Sequence, residues 1–359
     1  MRILYGVVGE GMGHAMRSRV ILDELTKRHE VQVVVSGRAY DYLKARAGEH
    51  LAVKKIWGYS VVYEDNEVQN FKTLLQNVKG AITGWPQNVR AYFDLAETFE
   101  PDVVISDFES WSYLFAKSHR LPVISVDNMQ IIDRCAHAPE IVQGLAAEMA
   151  LTKAIVKAKV AGAAHYYITT FFYPPTRKPN TSLHPPVLRP EILAARPEAG
   201  GHLLVYQTST SNESLSQVLQ GCGHECRIYG LRRDIVTDVV EGNLRYRPFS
   251  EAGFIDDLRT ARGVLATGGF TLMGEAVYLR RPMLVVPIRK QFEQVLNGRY
   301  LEAQGYGLAV DEISAAHLGQ FLERIPDFEV NLARYQQDGN GELLGAIEAG
   351  LAAAVAAPR

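Results

Sequence analysis

Short β-branched runs alternate with amphipathic stretches along nearly the whole 359-residue chain, and this rhythm narrows the fold more than any other feature. Arg2–Val8 (RILYGVV), Val31–Val35 (VQVVV), Asp102–Ser106 (DVVIS) and Pro122–Val126 (PVISV) are too continuously apolar to keep one face in water. They read as strands of a parallel sheet covered on both faces. Between them, His14–Arg28 sets Val20, Ile21, Leu22 and Leu25 on one helical face, and Ser110–His119 forms a second helical stretch. Such βαβ repetition specifies a doubly wound α/β domain. The rhythm breaks at Phe171–Pro190, where six of the 16 prolines fall, a composition that suits a semi-rigid connector. A second series follows: Leu203–Tyr206, Arg227–Tyr229, Gly263–Ala266 and Met283–Val286. The chain therefore divides into a first Rossmann-like domain (1–170), a connector (171–188), a second Rossmann-like domain (189–340) and a terminal helix within 341–359, carried by Glu342–Ala357. Two such domains set the carboxyl edges of their sheets across a cleft, where ligands of open α/β sheets bind.

Charge and cysteine usage exclude several classes. Lys and Arg number 38 against 40 Asp and Glu, a net charge of −2, so no basic field points to nucleic acid. Three cysteines cannot frame a disulfide scaffold, and reduced thiols in a cytoplasmic protein are expected. No apolar run approaches the roughly 18 residues of a spanning helix. The opening MRILYGVVGEGMGH carries no small-residue cleavage site. Peripheral membrane contact stays open.

Gly9-Glu10-Gly11-Met12-Gly13-His14 follows the first strand and opens the first helix. Gly11 and Gly13 let the backbone approach a ligand, and a helix start offers free N–H groups with partial positive charge. A dinucleotide site would also want an acidic residue closing the second strand to hold a ribose. That end reads Val35-Ser36-Gly37-Arg38, which argues against a dehydrogenase. His14 begins the helix, where the dipole disfavours imidazolium and leaves a ring able to accept a proton.

The second half carries the most specific segment. Phe254-Ile255-Asp256-Asp257-Leu258 precedes Ala266-Thr267-Gly268-Gly269-Phe270-Thr271-Leu272-Met273-Gly274-Glu275-Ala276; then come Arg281-Pro282-Met283-Leu284-Val285-Val286-Pro287 and Phe292-Glu293-Gln294-Val295-Leu296-Asn297. This order of glycine-rich turn, glutamate-bearing helix, proline-flanked strand and acid–Gln–x–x–Asn resembles the donor site of nucleotide-sugar-dependent GT-B glycosyltransferases. The resemblance is to families 1 and 28, the group that includes the lipid II-forming N-acetylglucosaminyltransferases and the plant UDP-glycosyltransferases. It covers nearly the whole chain in plan and is weak between Leu51 and Phe99.

The resemblance implies two Rossmann-like domains facing each other, and it implies roles residue by residue. Glu275 would hold the ribose hydroxyls. Gly268, Gly269, Phe270 and Thr271 would present backbone N–H groups to the diphosphate. Thr267 stands where family 1 often has histidine, leaving a hydroxyl as a weaker donor. Glu293 and Gln294 match the pair that reads the donor sugar, with Glu in place of the commoner Asp. Pro186-Val187-Leu188-Arg189-Pro190 resembles the entry to the second domain in family 28, so Arg189 would reach the diphosphate, and Thr208 and Ser209 lie in a loop that also touches phosphates. Ser106-Asp107-Phe108-Glu109-Ser110 resembles the strand end whose aspartate orients the catalytic histidine, as in a protease triad. Asp107 takes that role, with Glu109 as the alternative if the local alignment slips.

The implied reaction is inverting transfer of a sugar from a nucleoside diphosphate sugar, UDP-linked by family frequency, to a small-molecule or lipid-linked acceptor. No Asp-x-Asp occurs in the chain, so no metal clamp is expected; the nucleotide sugar is a co-substrate, and no resident cofactor is expected. Two other readings remain: an epimerase or hydrolase of the same fold, and a non-catalytic nucleotide-sugar-binding subunit. Three further signals are weaker. Cys222-Gly223-His224-Glu225-Cys226 has soft ligands but no second cluster to complete a zinc site. Ile141–Ala164, with Lys153, Lys157 and Lys159, reads as one amphipathic surface helix. Trp57, Tyr59, Tyr63, Phe71 and Trp85 suit core packing more than sugar stacking.

Overall fold

The computed structural model describes residues 1–9, 11–58, 63–64, 67–68, 84–207 and 213–357. The chain begins β1 (Arg2–Val7), α1 (Met12–Leu25), β2 (Glu30–Val35), α2 (Ala39–Lys44), β3 (Leu51–Lys55), then the short pair β4 (Tyr63–Glu64) and β5 (Glu67–Val68). Helix α3 covers 84–94 and closes in a π turn over Leu95–Phe99. It continues with β6 (Val103–Asp107), α4 (Ser110–Ser118), β7 (Val123–Asp127), α5 (Ile131–Arg134), α6 (Pro139–Val142), α7 (Ala146–Lys159), β8 (His165–Thr169) and β9 (Thr181–His184). The rear half comprises α8 (Pro190–Ala194), β10 (Leu203–Tyr206), α9 (Glu213–Gln220), β11 (Cys226–Tyr229), β12 (Val239–Glu241), β13 (Leu244–Arg247), α10 (Glu251–Thr260) and β14 (Gly263–Ala266). It ends with α11 (Phe270–Tyr278), β15 (Met283–Val285), α12 (Phe292–Ala303), β16 (Gly307–Ala309), α13 (Ala315–Leu332) and α14 (Gly341–Ala356).

Two seven-stranded sheets result, in the orders β3-β2-β1-β6-β7-β8-β9 and β12-β13-β11-β10-β14-β15-β16. Every pairing in the first is parallel; in the second only β12 runs antiparallel to its neighbour. Alternate residues explain the double burial. Ile3, Tyr5, Val33 and Ile105 pack on one face of the first sheet, while Leu4, Val34 and Val104 pack on the other with Leu95 and Phe115. Strand order reverses at β1 and again at β10, and the carboxyl ends of the strands at such switch points are where ligands of open α/β sheets bind.

Two local expectations change, and one expected element finds its place. The proline-rich segment is not all connector, because Thr181–His184 pairs in parallel with β8 as the edge strand of the first sheet. Ile141–Ala164 is not one helix: Gly144, at φ 76°, takes the left-handed conformation between α6 and α7. The carbonyls left open at that break, Ile141 O and Gln143 O, accept from Arg299 Nη1 at 2.8 and 2.7 Å. Finally, the terminal helix belongs to the front half in space. Leu343, Ile347, Leu351 and Ala354 of α14 join the core of the first sheet. Each fully buried aliphatic among them contributes on the order of 1.5–3 kcal/mol. No helix among the described residues is long and apolar enough to cross a membrane.

Candidate active site

The parallel register of β1 and β6 pairs Val7 with Asp107, so this aspartate stands at the carboxyl edge beside the glycine turn that leads into α1. The chain leaves β6 through Phe108, at φ 54°, a strained left-handed turn of the kind that functional sites retain. His14, one turn into α1, brings Nδ1 to 2.7 Å from Asp107 Oδ1. Its side chain is half-buried, whereas Asp107 has no exposed surface. Glu109 does something else: it is the N-cap of α4, accepting from Trp111 N at 2.8 Å and Ser112 N at 2.7 Å.

Asp107 is heavily partnered. Arg17 Nε donates to Oδ2 at 3.2 Å and Arg17 Nη2 to Oδ1, while Ser18 Oγ donates to Oδ2 at 3.0 Å. Burial alone would raise the Asp107 pKa, but Arg17 and His14 outweigh it and hold the carboxyl below its ordinary range. Beside it, Asp127 at the end of β7 is pushed up by burial and by the Asp107 charge, even though Ser125 Oγ and Gln130 N donate to it. His14 Nδ1 lies between an obligate acceptor, Asp107 Oδ1, and an obligate donor, Arg17 Nη2, at 2.8 Å. The tautomer that donates to Asp107 leaves Nε2 as the proton acceptor.

Across the cleft, Gly268 adopts φ 90°, and Gly269 occupies the position just before α11. A β-carbon on Gly268 would meet Val285 Cγ1 at 3.0 Å and Gln294 O at 3.1 Å, so both space and backbone favour glycine there. Phe270 is buried and stacks on Phe171, with ring centroids 5.8 Å apart. Thr271 faces the front domain: a β-carbon on Gly13 would lie 2.6 Å from its Oγ1. The starts of α1 and α11 thus abut. Neither Gly11, at φ 83°, nor Gly269 supplies a side-chain cap, so the first N–H groups of both helices are left to other partners. Thr267 is buried at the end of β14.

Glu275 and Arg189, read separately from the sequence, form one bidentate pair. Arg189 Nε donates to Oε1 at 2.7 Å and Nη2 to Oε2 at 2.8 Å, and Glu275 is 2% exposed. Burial raises the Glu275 pKa against the pull of Arg189. Arg189 Nη1 also donates to Glu251 Oε1 at 2.8 Å, and Arg19 of α1 reaches the same oxygen at 3.1 Å as well as Glu191. Glu293 is half-buried and accepts from Asn128 Nδ2 at 2.7 Å. Gln294 points elsewhere, its Oε1 accepting from Ile288 N at 3.0 Å. Thr208 and Ser209 lie outside the described residues, as do Tyr59, Phe71 and the side chain of Tyr63. Trp85 is exposed.

Arg17, Arg19, Asn128 and Glu251 are the residues that sequence reasoning missed. Arg17 had a usable signal, since it follows His14 by three positions on a helix and so shares its face. Asn128 sits just past the end of β7, where cleft residues of such sheets cluster. Away from the cleft, the Cys222 and Cys226 sulfurs lie 3.6 Å apart, and the backbone oxygen of His224 accepts from both. Among the described residues no group of three or more His, Cys, Asp or Glu side chains is placed to hold a metal.

Two doubly wound domains facing across such a cleft define the GT-B glycosyltransferase architecture. A family model described as glycosyl transferase family 1 matches residues 1–326, and the chain belongs to that family. In fold, the chain is similar over 99% of both chains to CalG4, the calicheamicin glycosyltransferase, at 16% identity and a TM-score of 0.62. It is similarly related to Arabidopsis thaliana UGT89C1 complexed with UDP-L-rhamnose, with 98% of both chains covered, 14% identity and a TM-score of 0.64. A shorter stretch of 89 residues is 32% identical to the UDP-N-acetylglucosamine--N-acetylmuramyl-(pentapeptide) pyrophosphoryl-undecaprenol N-acetylglucosamine transferase 1 of Bacillus thuringiensis. That match spans 23% of this chain and 24% of the relative.

Proposed function

We propose that this protein transfers a sugar from a nucleoside diphosphate sugar, with UDP-sugars the first donors to test, to an acceptor hydroxyl with inversion at the anomeric carbon. The observation that carries the reading is the meeting of two uncapped helix starts, at Gly11 and Gly269, beside the His14–Asp107 pair. Converging N–H groups and helix dipoles form a site for a diphosphate. UDP is favoured because the Bacillus relative is named for a UDP-sugar and UGT89C1 was solved with one.

In this reading His14 Nε2 takes the proton of the acceptor hydroxyl as its oxygen bonds to the anomeric carbon. The bond from that carbon to the diphosphate oxygen breaks, and the electron pair leaves with the nucleoside diphosphate. Asp107, already ionised by its contact with Arg17, orients the ring and stabilises the imidazolium as it forms. Arg189 and the helix starts meet the charge that develops on the leaving group. These groups supply the electrostatics without a metal or a resident cofactor. The acceptor is small or lipid-linked. Leu151 and Ile155, exposed one turn apart on α7, leave an apolar strip for the second kind.

His14→Ala tests the base. Such assistance is worth about 10²–10⁴-fold, so turnover should fall by that much while UDP affinity stays within about twofold. Release of UDP from a panel of UDP-, dTDP- and GDP-sugars, with and without candidate acceptors, provides the assay. Wild-type turnover in the variant would remove His14 from the mechanism, and an epimerised product formed without acceptor would favour an epimerase.

A further inference from the structure

Asn128 is held at both ends of its amide by opposite domains. It follows β7 in the first domain and is 5% exposed. Its Oδ1 accepts from Arg17 Nη1 at 3.0 Å, and its Nδ2 donates to Glu293 Oε1 at 2.7 Å. A guanidinium only donates and an ionised carboxylate only accepts, so one orientation of the amide satisfies both partners. Aspartate would keep Arg17 but repel Glu293, and serine is too short to span the two. On the far side, Glu293 Oε1 also lies 3.3 Å from Asn297 Nδ2, which donates to Gly268 O at 3.2 Å. A continuous polar chain therefore runs from His14 through Asp107, Arg17, Asn128, Glu293 and Asn297 to the backbone of the glycine turn.

We propose that Asn128 is a positioning residue that sets the aim of Glu293, so that donor-sugar choice is made in part by the front domain. The inference rests on the reading of Glu293 as the group that meets the donor-sugar hydroxyls. Among the described residues both partners of Glu293 engage Oε1, which leaves Oε2 to accept from a ligand. With one oxygen clamped, the carboxylate loses rotamers before the sugar arrives, and a fixed acceptor discriminates between hydroxyl orientations better than a mobile one. The clamp joins the two domains, so a front-domain amide fixes the aim of a rear-domain carboxylate.

The test compares the full-length protein with Asn128→Ala, Asn128→Asp and Glu293→Gln. UDP release from UDP-glucose, UDP-galactose and UDP-N-acetylglucosamine gives kcat/KM for each, and calorimetry gives UDP affinity. Asn128→Asp is nearly isosteric and retains the Arg17 contact, which protects the fold. Both Asn128 variants should bind UDP within about twofold of wild type yet lose about tenfold in the ratio between the best and next-best sugar, the scale of one charge-assisted hydrogen bond. In Asn128→Ala/Glu293→Gln the loss should match that of Glu293→Gln alone, because both changes break one linkage. Unchanged sugar ratios in the two Asn128 variants, with an altered ratio in Glu293→Gln, would overturn the role of Asn128 and leave the donor site standing. Normal UDP binding with an unaltered ratio in Glu293→Gln would remove Glu293 from sugar reading, and this inference with it.

Discussion

Both halves of the cleft contain a buried arginine bound to a buried carboxylate, and the two pairs are built for different work. In the front, Asp107 keeps its charge through Arg17 and offers Oδ1 to a half-buried histidine that shares the cleft. At the rear, Glu275 gives both oxygens to Arg189 and is nearly without exposed surface. The first pair is a finished electrostatic device, set before any ligand arrives. The second neutralises two groups that, in the proposed function, would each meet a part of the nucleotide: the diol for Glu275 and the diphosphate for Arg189. Binding there means exchanging partners. A buried ion pair is therefore not one kind of element, because its role depends on which lone pairs and N–H groups it leaves over.

Breaking the front pair should cost most. Arg17→Met takes the guanidinium from fully buried Asp107, leaving it Ser18 and His14, and equilibrium denaturation should register a loss of about 3–5 kcal/mol. Turnover should fall with it, since the histidine loses a fixed partner. The rear pair should respond more mildly. Glu275→Gln keeps one acceptor toward Arg189 but turns its amide N–H toward the second guanidinium donor, while Glu251 still holds Nη1, so stability should fall by about 1–3 kcal/mol. UDP affinity, however, should fall about tenfold by calorimetry, as expected for losing charge-assisted bonds to a diol. Unchanged UDP affinity would mean that the pair is structural and that the two halves differ less than described.

The smallest effect is in pH dependence. Arg17 and His14 overcome burial to lower the Asp107 pKa on folding, so the folded state binds protons there less readily than the unfolded chain. Its stabilisation is fully present above the unfolded carboxylate value, near about pH 4, and is lost as pH falls through the depressed folded value. Thermal melts of Asp107→Asn should accordingly decline less steeply than wild type below about pH 4 and run parallel to it near neutrality. Asp127, raised by its own burial and by the Asp107 charge, contributes the opposite slope in both proteins.

Much of the architecture was legible because parallel sheets announce themselves locally. Ile3 and Leu4 are both fully buried on opposite faces, and only a strand covered twice needs such a run. The edge strand Thr181–His184 was hidden, since four residues among prolines carry little periodic signal and owe their pairing to β8. Glu109 against Asp107 could not be decided on paper, as both lie near one strand end. The register of β6 against β1 and the capping geometry of α4 separate them.

What the linear chain determined was a set of local identities: which runs are buried on two faces, where glycine must stand, and where histidine, aspartate and glutamate punctuate the strand ends. These follow from short-range sterics and side-chain periodicity, which act within a few residues. What only the tertiary structure decided was partnership. Arg17 with Asp107, Arg189 with Glu275, and Asn128 between Arg17 and Glu293 are joined across 86 to 165 positions of chain. The selection rule at such distances is the cost of leaving a buried charge or amide unsatisfied, and that cost is defined only once both sheets and their helices are in place.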